Sequence, residues 1–196
     1  MSCCGSSLDE PIKRKIVIVG DGACGKTCLL SVFSSGEFPE GYLPTIFDNS
    51  VKDMVVDSKN IATELWDTAG QEDFDRLRTL SYPDSDVVLI AFSIDTPESL
   101  ENIDVKWIPE VRRFCPGLPY LLVGCKTDLR DDNKTIEKLA KEGQEPISYQ
   151  QGAAIAREIG AYRYVECSAK TGKNVQDVFA SAIRSTLTKS SICNIM

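Results

Sequence analysis

A chain of 196 residues, 42% hydrophobic and 26% charged, is long enough to bury one sizeable core and has the make-up of a globular protein. Its net charge of −7 has the wrong sign for a nucleic-acid footprint, and no stretch reaches the apolar length of a membrane span. Met1 to Pro11 lacks the apolar centre of a signal peptide, and the eight cysteines fit neither a small disulfide scaffold nor a zinc spacing, so reduced thiols are expected.

Residues 1–12 are mostly small and polar and read as a flexible extension that carries Cys3-Cys4. Lys13 to Val19 reads as a strand, and Gly25 to Ser35 as the helix after it. Between them lies Gly20-Asp21-Gly22-Ala23-Cys24-Gly25-Lys26-Thr27, the pattern G-x-x-x-x-G-K-[ST] of a phosphate-binding loop. Its glycines let successive backbone N–H groups turn inward on phosphate oxygens, and the helix N-terminus adds unpaired donors and a positive dipole. Lys26 would reach the β- and γ-phosphates, and the Thr27 hydroxyl would ligate Mg²⁺.

Gly36 to Asn49 reads as a loop. Ser50–Val56 and Ile61–Trp66 read as two antiparallel strands joined by a turn over residues 57–60. The segment Asp67-Thr68-Ala69-Gly70-Gln71-Glu72 follows a strand end. There an aspartate can hold a metal-bound water, a glycine N–H can approach a phosphate, and a glutamine can orient an attacking water. Val87–Phe92 is apolar without alternation, as in a buried parallel strand. Thr96-Pro97-Glu98 signals a helix start. Leu100, Ile103, Trp107, Val111 and Phe114 form its apolar stripe, and Pro109 is expected to bend or shorten it. Tyr120–Val123 is a further buried strand, running into Gly124-Cys125-Lys126-Thr127-Asp128.

Asp131–Gln144 reads as an exposed helical excursion anchored by Ile136 and Leu139. Ser148 to Gln151 has the form of a capping box, and the helix it starts ends at Gly160. Arg163–Cys167 is a last strand. Val175, Val178, Phe179, Ala182, Ile183 and Leu187 mark an amphipathic last helix before a tail over 188–196. Alternating strands and helices imply an α/β fold with a parallel sheet covered on both faces, where ligands sit at the carboxyl ends of strands. The glycine-rich loop, Asp67, Asp128 and Ser168 all fall just after predicted strands, so one rim should carry them together.

These motifs, in this order, resemble the Ras-like small GTPases over residues 13–187 and the tail: Gly20–Thr27, Thr45, Asp67–Gly70, Cys125–Asp128 and Ser168-Ala169-Lys170. Within them the Rho branch is most similar. Phe38-Pro39-Glu40-Gly41-Tyr42-Leu43-Pro44-Thr45 looks like its first switch, and Asp67–Pro83 like its second. The spacing from Asp128 to Ser168 leaves room for a Rho-type insert at about 131–144. The resemblance implies a P-loop NTPase small G domain: a six-stranded, mostly parallel sheet with helices on both faces and one antiparallel edge hairpin.

It also implies roles. Backbone N–H groups of Gly22, Ala23, Cys24, Gly25, Lys26 and Thr27 would cradle phosphates, with Cys28 near the α-phosphate. Thr27 and Thr45 would ligate Mg²⁺, Asp67 would act through water, and Thr45 with Gly70 would hold the γ-phosphate. Gln71 would be catalytic, Phe38 would lie beside the base or ribose, and Tyr42 would cover the phosphates. Asp128 would accept from guanine N1–H and N2–H₂, which adenine cannot offer together. Lys126 would lay its aliphatic stem along the ring, Leu129 would belong to the nucleotide site, the Ala169 N–H would donate to guanine O6, and Ser168 and Lys170 would support that loop.

The chain departs from the family at several places. Cys125 stands where Asn, or Thr in some Rho-type relatives, is usual; a thiol is a weak donor, so looser tethering and faster nucleotide release are expected. Phe74 replaces a usual Tyr and Thr79 a usual Pro. No arginine is placed as an intrinsic finger, which implies slow hydrolysis that an activating protein could raise by roughly 10⁵-fold. Cys24 and Cys28, beside the phosphates at a helix N-terminus, suggest lowered thiol pKa values and redox control, against the simpler reading of small residues packed in a tight loop. The tail, Cys193-Asn194-Ile195-Met196, is a prenylation motif with little basic charge near it, which implies reversible membrane association; Cys3-Cys4 could add an acyl anchor.

The expected reading is a monomeric Rho-type switch cycling between GDP and GTP, with actin and cell shape as its sphere. Its expected partners are an exchange factor, an activating protein, effectors such as kinases or formins, and a dissociation inhibitor; nucleic acid is not among them. The cytoplasm and the cytoplasmic face of membranes, chiefly the plasma membrane, are the expected location. The alternatives are a binding module locked in the GTP state, and a P-loop NTPase for another base.

Overall fold

The structure, a computed structural model, describes residues 10–39, 41 and 47–187. Six strands form one sheet in the order β2-β3-β1-β4-β5-β6. β1 (Ile12–Gly20), β3 (Lys59–Thr68), β4 (Val87–Ser93), β5 (Tyr120–Cys125) and β6 (Tyr164–Glu166) run parallel, and β2 (Phe47–Val56) is the antiparallel edge. β1 pairs with β3 on one side and β4 on the other, so the chain reverses its direction of travel across the sheet at β1. That reversal opens a crevice at the carboxyl end of β1, where the glycine-rich loop begins.

Pleating divides the strand residues between two cores. Ile16, Ile18, Leu89 and Ala91 face α1 (Lys26–Ser35) and α7 (Val175–Leu187), where Phe33 stacks on Phe179 at 3.7 Å between ring centroids. Val17, Val19, Val88 and Ile90 face the helical stretch from Pro97 to Phe114 and α6 (Tyr149–Ile159). β4 is buried along its whole length, which explains why its sequence shows no alternation.

Several boundaries differ from expectation. The edge hairpin is longer than read: β2 starts at Phe47, inside the expected loop, and β3 runs to Thr68. Asp57 and Ser58 both adopt positive φ, at 49° and 63°, so the turn closes on two residues instead of four and its twist matches the strands.

Of the bend or shortening expected at Pro109, the shortening does not occur. α3 (Pro97–Asn102) passes through a π-helical turn at Ile103–Trp107 into α4 (Ile108–Phe114). Pro109 then lies in the first turn of α4, where its missing N–H costs little. Thr96 holds the N-cap position but makes no side-chain cap; the Ser99 hydroxyl donates to the Thr96 carbonyl at 2.5 Å and accepts from the Ser93 N–H at 3.0 Å.

The excursion contains α5 (Asn133–Lys141), capped by Asp132, whose carboxylate accepts from the Thr135 N–H at 2.9 Å. Only Leu139 anchors it; Ile136 is 40% exposed. The capping box at Ser148 and Gln151 and the left-handed Gly160 terminus of α6 occur as read. α2 (Asp75–Thr79) is a five-residue helix after a 3₁₀ turn at Glu72–Phe74.

Candidate functional site

The glycine-rich loop arches over the start of α1. Gly25 occupies the N-cap with φ 106°, no side chain caps α1, and its first turn holds no acid. The first N–H groups of the helix are therefore left without an internal carboxylate partner, which suits an external anion. Lys26 is 5% exposed, and its Nζ donates to the carbonyls of Gly20 and Asp21 at 2.7 Å each. The ammonium thus sits inside the arch, closing it around the place a phosphate would fill.

The segment after β3 presses on this arch. A Cβ on Gly70 would lie 2.4 Å from the Gly20 carbonyl oxygen and the Gly22 nitrogen, and 2.3 Å from the Asp21 carbonyl carbon. Only glycine permits that approach. A Cβ on Gly22 would meet the Gln71 side chain at 3.7 Å, so the loop and the exposed glutamine face each other. Asp67 is 4% exposed and pairs in register with Ile18, two residues before the arch. Thr27 and Asp67 supply two hard oxygen donors at the arch, a set that fits a Mg²⁺ completed by phosphate and water. When bound there, such an ion would neutralise phosphate charge.

Two networks beneath the rim carry no signal in the motif spacing. Asp21 accepts from Trp107 Nε1 and from Asn102 Nδ2, both at 2.7 Å, which ties the arch to the π-helical turn. Trp107 reads in sequence as an apolar stripe residue, yet its N–H is spent on the arch. Arg78, 2% exposed, donates to both oxygens of Glu110 at 2.7 and 2.8 Å, to Asp75 at 2.6 Å and to the Ala69 carbonyl at 2.9 Å. Burial works against its charge, but Glu110 and Asp75 outweigh that and raise its pKa. The guanidinium also lies over the Trp107 ring, 4.7 Å from its centroid. Arg78 therefore fixes the carbonyl just before Gly70.

Beside the arch opens a cavity of about 320 Å³. Gly25, Cys28 and Phe38 line one part of it, and Lys126, Asp128, Leu129, Ala169 and Lys170 line the other. Lys126 has φ 61°, and its stem passes 3.9 Å from a Cβ placed on Gly25, while its Nζ pairs with Asp95 at 3.3 Å. Asp128 Oδ1 accepts from the buried Ser168 hydroxyl at 2.6 Å, and the Thr127 N–H donates to the Cys167 carbonyl at 3.2 Å. Ser168 thus orients the carboxylate, whose remaining lone pairs can still accept from a ligand. Cys125 is 3% exposed, hydrogen-bonded to Cys167, and held well above an ordinary thiol pKa by that bond and by burial.

The structure brings together every expected site residue among the described ones: the loop 22–28, Phe38, Asp67, Gly70, Gln71, Lys126, Asp128, Leu129 and 168–170. Tyr42, Thr45 and Cys193 lie outside the described residues, as do Cys3 and Cys4. The expectation of lowered pKa at Cys24 and Cys28 is overturned. Cys24 is 2% exposed and burial pushes its thiol up to about 11, while burial also raises Cys28. Desolvation outweighs Lys26 and Lys126, the nearby cations, so the physical basis for a reactive thiol pair in this loop is gone.

The Ras family model matches residues 15–188. The chain is 62% identical over 182 residues to "GTP-binding protein rho5" of Schizosaccharomyces pombe, covering 93% of this chain and 91% of that protein. It is 62% identical over 180 residues to "GTP-binding protein RHO1" of Saccharomyces cerevisiae, covering 92% and 86%. It is also 60% identical to "GTP-binding protein RHO1" of Candida albicans over 90% of this chain and 89% of that one. With an anion-ready arch, a neighbouring carboxylate pocket and these relatives, the chain belongs to the Ras family, in its Rho branch, and is a GTP-hydrolysing molecular switch.

Proposed function

We propose that the arch and the adjoining cavity divide one guanine nucleotide between them, phosphates over Gly22–Thr27 and base against Asp128. The observation that carries this reading is their junction: Gly25 belongs to the arch yet lies against both Cys125 and the Lys126 stem, so one ligand can span both parts. Lys26 and the α1 N-terminus stabilise charge on the phosphates, Gly70 presents its N–H to the γ-phosphate, and Thr27 and Thr45, with Asp67 through water, would hold a Mg²⁺ that neutralises phosphate charge. Gln71 places the attacking water. Loss of the γ-phosphate releases the contacts of Gly70 and Thr45, and the surface offered to effectors changes with it. The arrangement of Gly22 opposite Gln71 favours a cycling switch over one locked with GTP.

An exchange factor, an activating protein and effectors follow from such a cycle, with actin organisation as the sphere that the Rho branch suggests. Residues 131–144, which include α5, are assigned as the Rho-type insert of a 13–187 domain. Prenylation at Cys193 would give a membrane association that remains reversible, because one chain without a polybasic patch binds weakly. Among the described residues no helix is long and apolar enough to cross a membrane.

The test is single-turnover GTP hydrolysis with a Rho-type activating protein. Gln71→Leu and Gly22→Val are each expected to abolish the stimulated phase while GDP still binds. Unchanged phosphate release from either variant would contradict the roles given to this pair.

A further inference from the structure

Thr79 is the last residue of α2, and its hydroxyl donates to the Arg76 carbonyl at 2.8 Å on the exposed side of the helix. It lines a groove of about 370 Å³ between α2 and α4, together with Asp75, Arg76, Pro109, Glu110 and Arg113. The charges in this groove are unevenly spent. Asp75 and Glu110 are both held by Arg78, and Glu110 also accepts from the Tyr82 hydroxyl at 2.5 Å. Arg76 and Arg113 are exposed and enter no ion pair among the described residues; Arg113 rests over the Phe114 ring at 5.3 Å from its centroid. The groove therefore holds two guanidiniums outside any ion pair among the described residues, two carboxylates that share the single charge of Arg78, and one partly exposed hydroxyl. Ser81, two residues on, is fully buried and offers no such access.

We propose that Thr79 is a phosphoacceptor, and that Arg76 from α2 and Arg113 from α4 clamp the phosphate once it is formed. Planar guanidiniums suit phosphate oxygens, and a dianion placed between two of them gains charge-assisted hydrogen bonds. The modifying agent is an arginine-directed serine/threonine protein kinase using ATP, to which Arg76, three residues before the acceptor, presents the recognition charge. The Thr79 oxygen attacks the γ-phosphorus of ATP; the new O–P bond forms, the bond to ADP breaks, and the hydroxyl proton passes to the base of the kinase. The new charge sits at the C-terminal end of a helix, which opposes it, but α2 has only five residues and a correspondingly small field. The clamp ties the end of α2 to α4 and covers the groove, so partners that dock on this side of the segment after Gln71 lose it.

The test uses the full chain loaded with GDP. Treatment with an arginine-directed kinase and radiolabelled ATP is expected to label Thr79 on peptide mapping. The label is lost in Thr79→Val, and its rate falls roughly tenfold or more in Arg76→Ala, the scale of one charged contact. Phosphorus NMR of the labelled protein should then place the second phosphate ionisation about one pH unit below that of an unfolded phosphopeptide of the same sequence. Arg113→Gln should move it back toward the peptide value. Labelling that bypasses Thr79, or a phosphate that titrates like the free peptide and ignores Arg113→Gln, would overturn the proposal. Thermal unfolding of Thr79→Val matching the parent protein excludes misfolding as the cause of a lost label.

Discussion

The two ends of the nucleotide site are built differently. At the phosphate end the backbone does the holding: the Gly25 cap, the carbonyls that grip Lys26, and Gly70 packed within 2.4 Å of the arch wherever a Cβ would project. At the base end side chains do it, through Ser168 on Asp128, Lys126 on Asp95, and Cys125 on Cys167. Backbone contacts leave no room for graded change at Gly20 and Gly70, where an added Cβ would meet main chain at 2.1–2.4 Å. Side-chain contacts can be weakened one at a time. The phosphate end should therefore fail sharply on substitution, and the base end should be tunable.

The largest effect is expected at Gly70. A Cβ there must displace either the arch or its own segment, so Gly70→Ala should lower stimulated GTP hydrolysis by roughly 10²-fold or more, as ångström-scale misplacement does. Single-turnover phosphate release measures it, and a rate near the parent value would break the contrast between the two ends.

Asp128 comes next. Asp128→Ala removes the carboxylate proposed to accept twice from guanine and leaves the Ser168 hydroxyl without that acceptor, which should cost about 3 kcal/mol or more in GDP affinity, roughly 10²-fold. Titration with fluorescent GDP checks this, and ATP should compete relatively better against the variant than against the parent.

Most of this contrast can be read from residues alone, because the motifs are short and tied to strand ends. Gly20–Thr27 and Cys125–Asp128 need only their neighbours in sequence to be recognised, and the sheet then brings them to one rim. What escapes the sequence is what distant side chains do to each other. Trp107 looks like an apolar stripe residue and Arg78 is one residue of the switch-like stretch, yet one holds Asp21 and the other is enclosed by Glu110, Asp75 and Ala69. Their roles depend on the π-helical turn, which no local propensity signals. At Cys24 the simpler reading of a small residue packed in a tight loop holds, while the lowered thiol pKa does not: a helix N-terminus is visible in sequence, but the burial that overrides it is not.

Cys125 sharpens the comparison from the tunable side. Its thiol is a poor hydrogen-bonding group between the arch and the base loop, so Cys125→Asn should slow GDP release, by roughly threefold to tenfold for one added bond. An unchanged rate would mean that the backbone bond from Thr127 to Cys167 already carries the tether.

The smallest effect concerns pH. The Cys24 thiol stays neutral in the folded protein until about pH 11, whereas in the unfolded chain it ionises from about 9. Above pH 9 the unfolded state therefore binds fewer protons than the folded one, and stability falls as pH rises toward 11. Cys24→Ser should lessen the alkaline loss in denaturant melts, leaving the shares of Cys28, Cys115 and Cys125, whose thiols are also raised, and leave stability between pH 6 and pH 8 without a new pH dependence.

The most direct measurement is the release of fluorescent GDP at millimolar Mg²⁺, chased in turn with excess GTP and excess ATP. One ligand spanning both ends of the site predicts replacement by GTP and none by ATP, with release accelerated when Mg²⁺ is chelated. Equal replacement by ATP would contradict the assignment of Asp128 as the base reader and, with it, the division of the site into a phosphate end and a guanine end.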